Sequence, residues 1–347
     1  MTKPDCAWSL ADLDRVPKNG LRVMSTFACG GGSSMGYKRA GCEIVAANDI
    51  DPEMAWHYQR NLSPRHYFLC PIKDLITADL PLELFDLDIL DGSPPCSTFS
   101  TAGSREKSWG KDKHFREGQA KQVLSDLFFD YLDLVERLKP RVAIAENVKG
   151  MILGNAKGYT KMVMTRFREI GYRPQLFLVN AADCGVPQRR ERVFFCAIRD
   201  DIAAPPLQLA PKHRWVSAGE ALADRRNDLG KYQMVTASNQ RHTLAGRTKP
   251  WPMTQPSPTL VAQSRDELID GSQKFASWTY GDVIRLGSFP DDYQAKSDKI
   301  GKYMIGMSVP PKMTEAVARA VIDQWLQPST ERQGSTDKHA PQLEATA

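Results

Sequence analysis

The chain lacks any apolar run near the roughly 20 residues that a membrane-spanning helix needs, and its mean hydropathy is −0.42, so a membrane protein is not expected. Its start, MTKPDCAWSLADLDRVPKNG, holds no apolar core behind basic residues, which argues against a secretory signal. Cysteine is scarce. The seven present are widely spaced, odd in number and without a C-x-x-C pair, which argues against a disulfide framework and against a zinc site. A reducing, cytoplasmic setting is expected. Strong charge of one sign is also missing: 46 Lys and Arg against 41 Asp and Glu leave +5, which permits a polyanionic partner without demanding one. Neither G-x-G-x-x-G nor G-K-[ST] occurs, so an ordinary dinucleotide or P-loop site is not indicated. No internal repeat is visible.

What is present reads as an α/β protein of 347 residues, long enough for two domains or one large domain with an insertion. Strand patterns occupy 21–27, 43–48, 67–69, 85–90 and the run RVAIAENV. Helical patterns occupy about 51–61, 123–138 and 161–170. This alternation predicts a parallel sheet covered on both faces, with ligands gathering at the carboxyl ends of its strands. Three unusual loops lie at such ends: CGGGSS, DGSPPCSTFS and ENVKGM. From about Asp200 to Ser277 the chain becomes polar and Pro-rich, and it reads as a smaller irregular module. Regular patterning returns with YGDVIRLGSFPDDY and a closing helix near 311–326, and the polar tail from Gln327 is expected to be disordered.

Each unusual segment admits a chemical and a structural reading. The glycines of FACGGGSSMG would let the backbone approach a ligand at a helix N-terminus, or would simply make a tight turn. Asp49, about twenty residues on, stands where a ribose acceptor sits in nucleoside-binding folds, or caps the helix beginning near Asp51. Cys96 follows Pro94 and Pro95, which hold two φ angles at a strand end; it is a nucleophile or a loop residue. Glu146 must be hydrogen-bonded or act as an acid if buried, or it belongs to a helix-capping network. In QRRERVFF, Arg190 and Arg192 should share one face, and buried arginines need partners.

In this order, FACGGGSSMG, PPCSTFS, ENV, QRRERVFF, RLGSFPDDY and IGMSVPP resemble the motifs of the DNA cytosine-5 methyltransferases over 27–311. The resemblance implies a doubly wound Rossmann-like methyltransferase sheet with a smaller, irregular target-recognition domain. It divides the chain into a catalytic first part at 1–198, recognition at 199–278, a return to the catalytic domain at 279–326, and the tail at 327–347. It implies S-adenosylmethionine as methyl donor, S-adenosylhomocysteine as product, and a cytosine flipped from duplex DNA. By the same resemblance Cys96 is the nucleophile on C6, Glu146 the acid at N3, and Arg190 and Arg192 stabilise charge near O2. Cofactor contacts fall on Phe27, Ala28, Gly30, Gly31, Asp49, Ile50, Ile72, Pro95, Leu127 and Ser308. DNA contacts fall on Ser97, Arg105, Lys111, Lys113 and Thr259.

The stretch 97–122, with six Lys or Arg against three Asp or Glu, reads as a loop that closes over the base, or as a solvated charged loop. The setting implied is prokaryotic or phage-like, cytoplasmic, monomeric and free of metal, with a restriction endonuclease acting separately or none at all. Several positions depart from the family pattern: Ser25 for a common Asp, Cys29 for Gly, Pro71 for Asp, Met307 for Asn and Gly281 for Arg. As an expectation, Cys29, Ile50, Pro71 and Met307 shape a modified cofactor pocket. The rivals are an RNA cytosine methyltransferase, a non-catalytic nucleic-acid-binding protein on the same fold and, more distantly, a nicotinamide oxidoreductase.

Overall fold

A computed structural model describes residue 4 and residues 6–95, 112–113, 122–123, 127–154, 156–236, 249–262 and 267–326. The strand residues with the fewest polar side chains build the centre of the fold. Val23, Met24, Ile89, Leu90, Ala143 and Ile144 are wholly buried, as strands covered on both faces must be. They belong to β1 (Arg22–Thr26), β4 (Ile89–Gly92) and β7 (Val142–Val148). These lie in a seven-stranded sheet with β2 (Glu43–Asp49), β3 (His66–Leu69), β8 (Tyr172–Asn180) and β9 (Glu191–Arg199), in the order β3-β2-β1-β4-β7-β9-β8.

Side chains alternate across this sheet. Met24, Leu90, Ala143 and Phe195 face one apolar cluster with α3 (Leu127–Leu138) and α4 (Ala156–Glu169). Val23, Ile89, Ile144 and Phe194 face another, with Tyr37 of α1 (Gly32–Arg39) and Val317, Val321 and Trp325 of the closing helix Pro311–Trp325. Each large apolar side chain buried this way contributes roughly 1.5–3 kcal/mol. The α/β architecture read from the sequence is the one observed.

Two expectations need correction. The sheet is not wholly parallel, because β9 runs antiparallel to both β7 and β8. Residues 181–190 between β8 and β9 are too few for the crossover of about a dozen residues or more that a parallel neighbour requires, so they make a hairpin. The run 85–90 is not one strand either. Leu82–Phe85 forms a 3-10 turn and the strand begins at Ile89.

Downstream, α2 (Pro52–Leu62) is capped by Asp51, whose Oδ1 accepts from Glu53 N at 2.8 Å. Two short strands, β5 (Asp112–Lys113) and β6 (Gln122–Val123), pair antiparallel, Asp112 with Val123 and Lys113 with Gln122. A three-stranded sheet of β10 (Tyr232–Met234), β11 (Leu268–Asp270) and β12 (Phe275–Ala276) lies in the region read as a separate module. Its buried Met234 and Leu268 share one cluster with Met35, Met54 and Tyr58 of the first helices. The same cluster takes in α5 (Ala218–Leu222), α6 (Tyr280–Leu286) and α7 (Asp298–Met307).

Candidate active site

At the carboxyl ends of β1, β2, β4 and β7 lies a cavity of about 430 Å³, within the rough range of 300–1,000 Å³ usual for small-molecule sites. Its walls come from four loops and from the segments around 260 and 306–309.

The first wall is the turn after β1. Phe27 and Cys29 hold positive φ angles of 52° and 47°, a conformation that costs non-glycine residues energy and persists where the surroundings impose it. Here they do. Ala28 N donates to Asn48 O at 3.0 Å, and Cys29 N donates to Asp49 Oδ2 at 2.7 Å. Asp49 Oδ1 accepts from Asp51 N at 2.9 Å, so one carboxylate organises both loops. Burial pushes the Asp49 carboxyl up to about 6, against the pull of these backbone donors. Each of its oxygens keeps a lone pair for a ligand hydroxyl.

The glycines of this turn divide between packing and lining the cavity. Gly30 and Gly31 are not part of the cavity wall. A Cβ on Gly30 would run into the Met304 side chain, and one on Gly31, at φ 81°, into Leu62. They are small so that the turn can pack against the protein. Gly32 does line the cavity, and there a Cβ would meet the Val309 carbonyl.

The second wall is catalytic in character. Pro94 and Pro95 line the cavity, and Asn147 Nδ2 donates to Pro94 O at 3.0 Å, so the ENV segment holds the Pro-Pro backbone in place. Glu146 is buried, with its Oε1 2.9 Å from Arg192 Nε. Burial raises the Glu146 carboxyl above the usual range, while Arg192 and Arg190 pull it back. Arg190 does not lie on the strand with Arg192; it precedes β9. Its Nη1 donates to Leu260 O at 3.0 Å and to Gly306 O at 3.2 Å, while its buried Nε has no partner among the described residues.

Of the residues read from the sequence as cofactor contacts, Phe27, Ala28, Asp49, Ile50, Pro95 and Ser308 line the cavity. Ile72 and Leu127 are instead buried in the apolar cluster with α3 and α4, since both are apolar residues in elements packed on the sheet. Cys29 and Met307 also line the cavity; Pro71 does not. Burial takes the Cys29 thiol up to about 12, which disfavours the thiolate. Thr259 Oγ1 donates to Arg189 O at 2.7 Å, stitching its segment to the one before β9. Cys96, Ser97, Arg105, Lys111 and the Lys113 side chain lie outside the described residues. Sequence reading missed Asn147, for which ENV was a usable signal, and Asp91, for which its place at the head of the strand-end loop DGSPPCSTFS was one.

The family model for C-5 cytosine-specific DNA methylase matches residues 21–249. The chain belongs to that family. Among relatives of this methylase, the type II methyltransferase M.NgoMIV of Neisseria gonorrhoeae is 29% identical over 330 residues, spanning 84% of this chain and 94% of its own. The type II methyltransferase M.FnuDI of Fusobacterium nucleatum is 24% identical over 340 residues, spanning 87% and 94%. The fold is similar to that of the Spodoptera frugiperda DNMT2 crystal structure, with a TM-score of 0.62, 18% identity, and 87% and 100% of the two chains covered. The chain is a DNA cytosine-5 methyltransferase that depends on S-adenosylmethionine. The residues present fit that cofactor: Asp49 offers hydroxyl acceptors, and the first-turn N–H groups of α1 at Gly32 and Ser33, which have no acceptor inside the helix, offer donors for a carboxylate. Among the described residues, no helix is long and apolar enough to cross a membrane.

Proposed function

We propose that this methylase modifies a cytosine flipped out of duplex DNA at a short specific sequence, through a covalent bond between Cys96 and C6. The observation that carries this reading is the buried Glu146–Arg192 pair in the same cavity as Pro94 and Pro95, directly before Cys96. S-adenosylmethionine supplies an electrophilic methyl group. Cytosine C5 is too weak a nucleophile to take it unaided, so the Cys96 thiolate adds to C6 and pushes electron density onto C5. Glu146, whose burial favours the protonated form, gives a proton to N3 as the thiolate attacks. Arg192 holds the Glu146 carboxyl, and Arg192 and Arg190, which both line the cavity, stabilise charge developing near O2. Once C5 carries the methyl group, its proton leaves to water, Cys96 is expelled as thiolate to restore the ring double bond, and N3 returns its proton to Glu146.

In this reading residues 199–278 choose the sequence. Ser97, Arg105, Lys111, Lys113 and Thr259 contact DNA, the protein acts as a monomer in the cytoplasm, and any restriction endonuclease acts separately. The test is incubation with S-adenosylmethionine and either duplex DNA or transfer RNA, followed by nucleoside mass spectrometry. The expected result is 5-methylcytosine in DNA alone, and signal in RNA alone overturns the DNA reading. Duplex carrying 5-fluorocytosine, which has no C5 proton to lose, should trap the wild-type protein covalently and leave Cys96→Ser untrapped.

A further inference from the structure

One buried carboxyl in the cavity has no part in the chemistry above. Asp91 stands on β4 directly across from Ser25 on β1, and the two are register partners. Ser25 Oγ donates to Asp91 Oδ2 at 2.9 Å, and Tyr37 OH of α1 donates to Oδ1 at 3.0 Å. Asp91 is 2% exposed, yet it lines the cavity beside Ser25, Gly32 and Ser33. Among the described residues, none of the groups that bear on it is a cation. The groups that bear on it are Ser25, Tyr37 and Ser33, with Glu146 of β7, Tyr58 of α2 and Tyr131 of α3. A buried carboxylate with only neutral donors and another acid nearby is an unfavourable arrangement until a cation arrives.

S-adenosylmethionine carries such a cation. The amino-acid end of the cofactor pairs a carboxylate with an ammonium on the same carbon. The first turn of α1 offers N–H groups for the carboxylate, and Asp91 shares contact with that same turn through Ser33. The sulfonium, by contrast, has to face the side of the cavity where Pro95, Glu146 and the target base meet. We propose that Asp91 is the binding partner of the cofactor's α-ammonium group, a carboxylate delivered from β4 because β1 carries Ser25. The common aspartate of the family is absent at Ser25, and a carboxyl group stands one strand over, hydrogen-bonded to the serine that replaced it.

The proposal rests on the cofactor assignment, and the experiment separates the two. Calorimetric binding is measured for S-adenosylhomocysteine and for its des-amino analogue, which lacks only the ammonium. Asp91→Asn should weaken S-adenosylhomocysteine by about 10- to 100-fold, and the des-amino analogue by less than about threefold. The exchange variant Ser25→Asp with Asp91→Ser should recover most of the loss, which a merely structural role for Asp91 would not give. A variant-independent reading comes from repeating the wild-type titrations in buffers of different ionisation enthalpy. Burial holds the Asp91 carboxyl up at about 7, so an arriving ammonium should drive its ionisation and release protons, and the des-amino analogue should not. Equal affinity of the wild type for both ligands, or equal proton release, overturns the proposal. No binding of either ligand by the wild type overturns the cofactor assignment, and the proposal falls with it.

Discussion

Arg192 Nε lies 2.9 Å from Glu146 Oε1 across the antiparallel pairing of β7 and β9. Arg192 pairs in register with Val148, two residues beyond Glu146, and its side chain reaches back along the strand. The acid and its guanidinium are therefore held by sheet hydrogen bonds rather than by a loop.

Replacing Glu146 by Gln keeps the shape but removes the proton that the mechanism spends at N3. Single-turnover 5-methylcytosine formation should fall at least about 100-fold, while calorimetric affinity for S-adenosylhomocysteine changes little. Loss of cofactor affinity in step with rate would instead make Glu146 part of the cofactor site.

Arg190 ties the segment around Leu260 and the turn at Gly306 to the end of the sheet. Arg190→Met keeps most of the apolar volume but leaves two buried carbonyls without donors. A loss of about 2–4 kcal/mol in denaturant unfolding is expected, with DNA affinity reduced as well. Unchanged stability would show that these carbonyls find water.

The pH dependence of the unliganded protein should show Asp91. With its folded carboxyl held by burial at about 7, against an ordinary 3.8, the native state binds the proton more tightly than the unfolded chain. That contribution is full below about pH 4 and is lost as pH rises through 7, on the order of 3–4 kcal/mol. Asp49, at about 6, acts in the same direction over a narrower window. Thermal melts of Asp91→Asn should therefore flatten between pH 5 and pH 8, with the variant melting above the wild type at pH 8. A slope equal to the wild type's would show that Asp91 does not titrate there.

Among the glycines, Gly32→Ala should be worse than Gly30→Ala. The first drives a methyl group into the Val309 carbonyl, which is backbone; the second meets the end of Met304, which can move. Melting temperature and cofactor affinity should both drop for Gly32→Ala, whereas Gly30→Ala should lower stability by about 1–2 kcal/mol. The reverse ranking would mean that the turn moves more readily than Met304 does.

The sheet was legible in the sequence because its strands are short apolar runs between helical patterns, and the site was legible because its motifs sit at strand ends. Three things were not. The direction of β9 depends on the length of a connection, which periodicity does not report. The role of Gly30 and Gly31 depends on Met304 and Leu62, which arrive from elsewhere in the chain. The departures from the family pattern were read as a modified pocket, and what stands beside two of them comes from elsewhere in the chain. Asp91 stands beside Ser25, and Arg225 donates to Gly281 O at 3.0 Å and pairs with Asp291 at 2.7 Å, where the family commonly has an arginine at 281. Single-sequence reading compares positions, whereas the fold compares places.

The cavity also has an order of completion. Tyr293 OH donates to Gly30 O at 2.7 Å behind the cavity, and Gly32 and Val309, which come from opposite ends of the fold, share its wall. A chain that ends before Tyr293 keeps the Asn48 and Asp49 hydrogen bonds to the turn after β1 but lacks this second brace. The cavity is therefore complete only once the segment through Val309 has folded back onto the turn after β1.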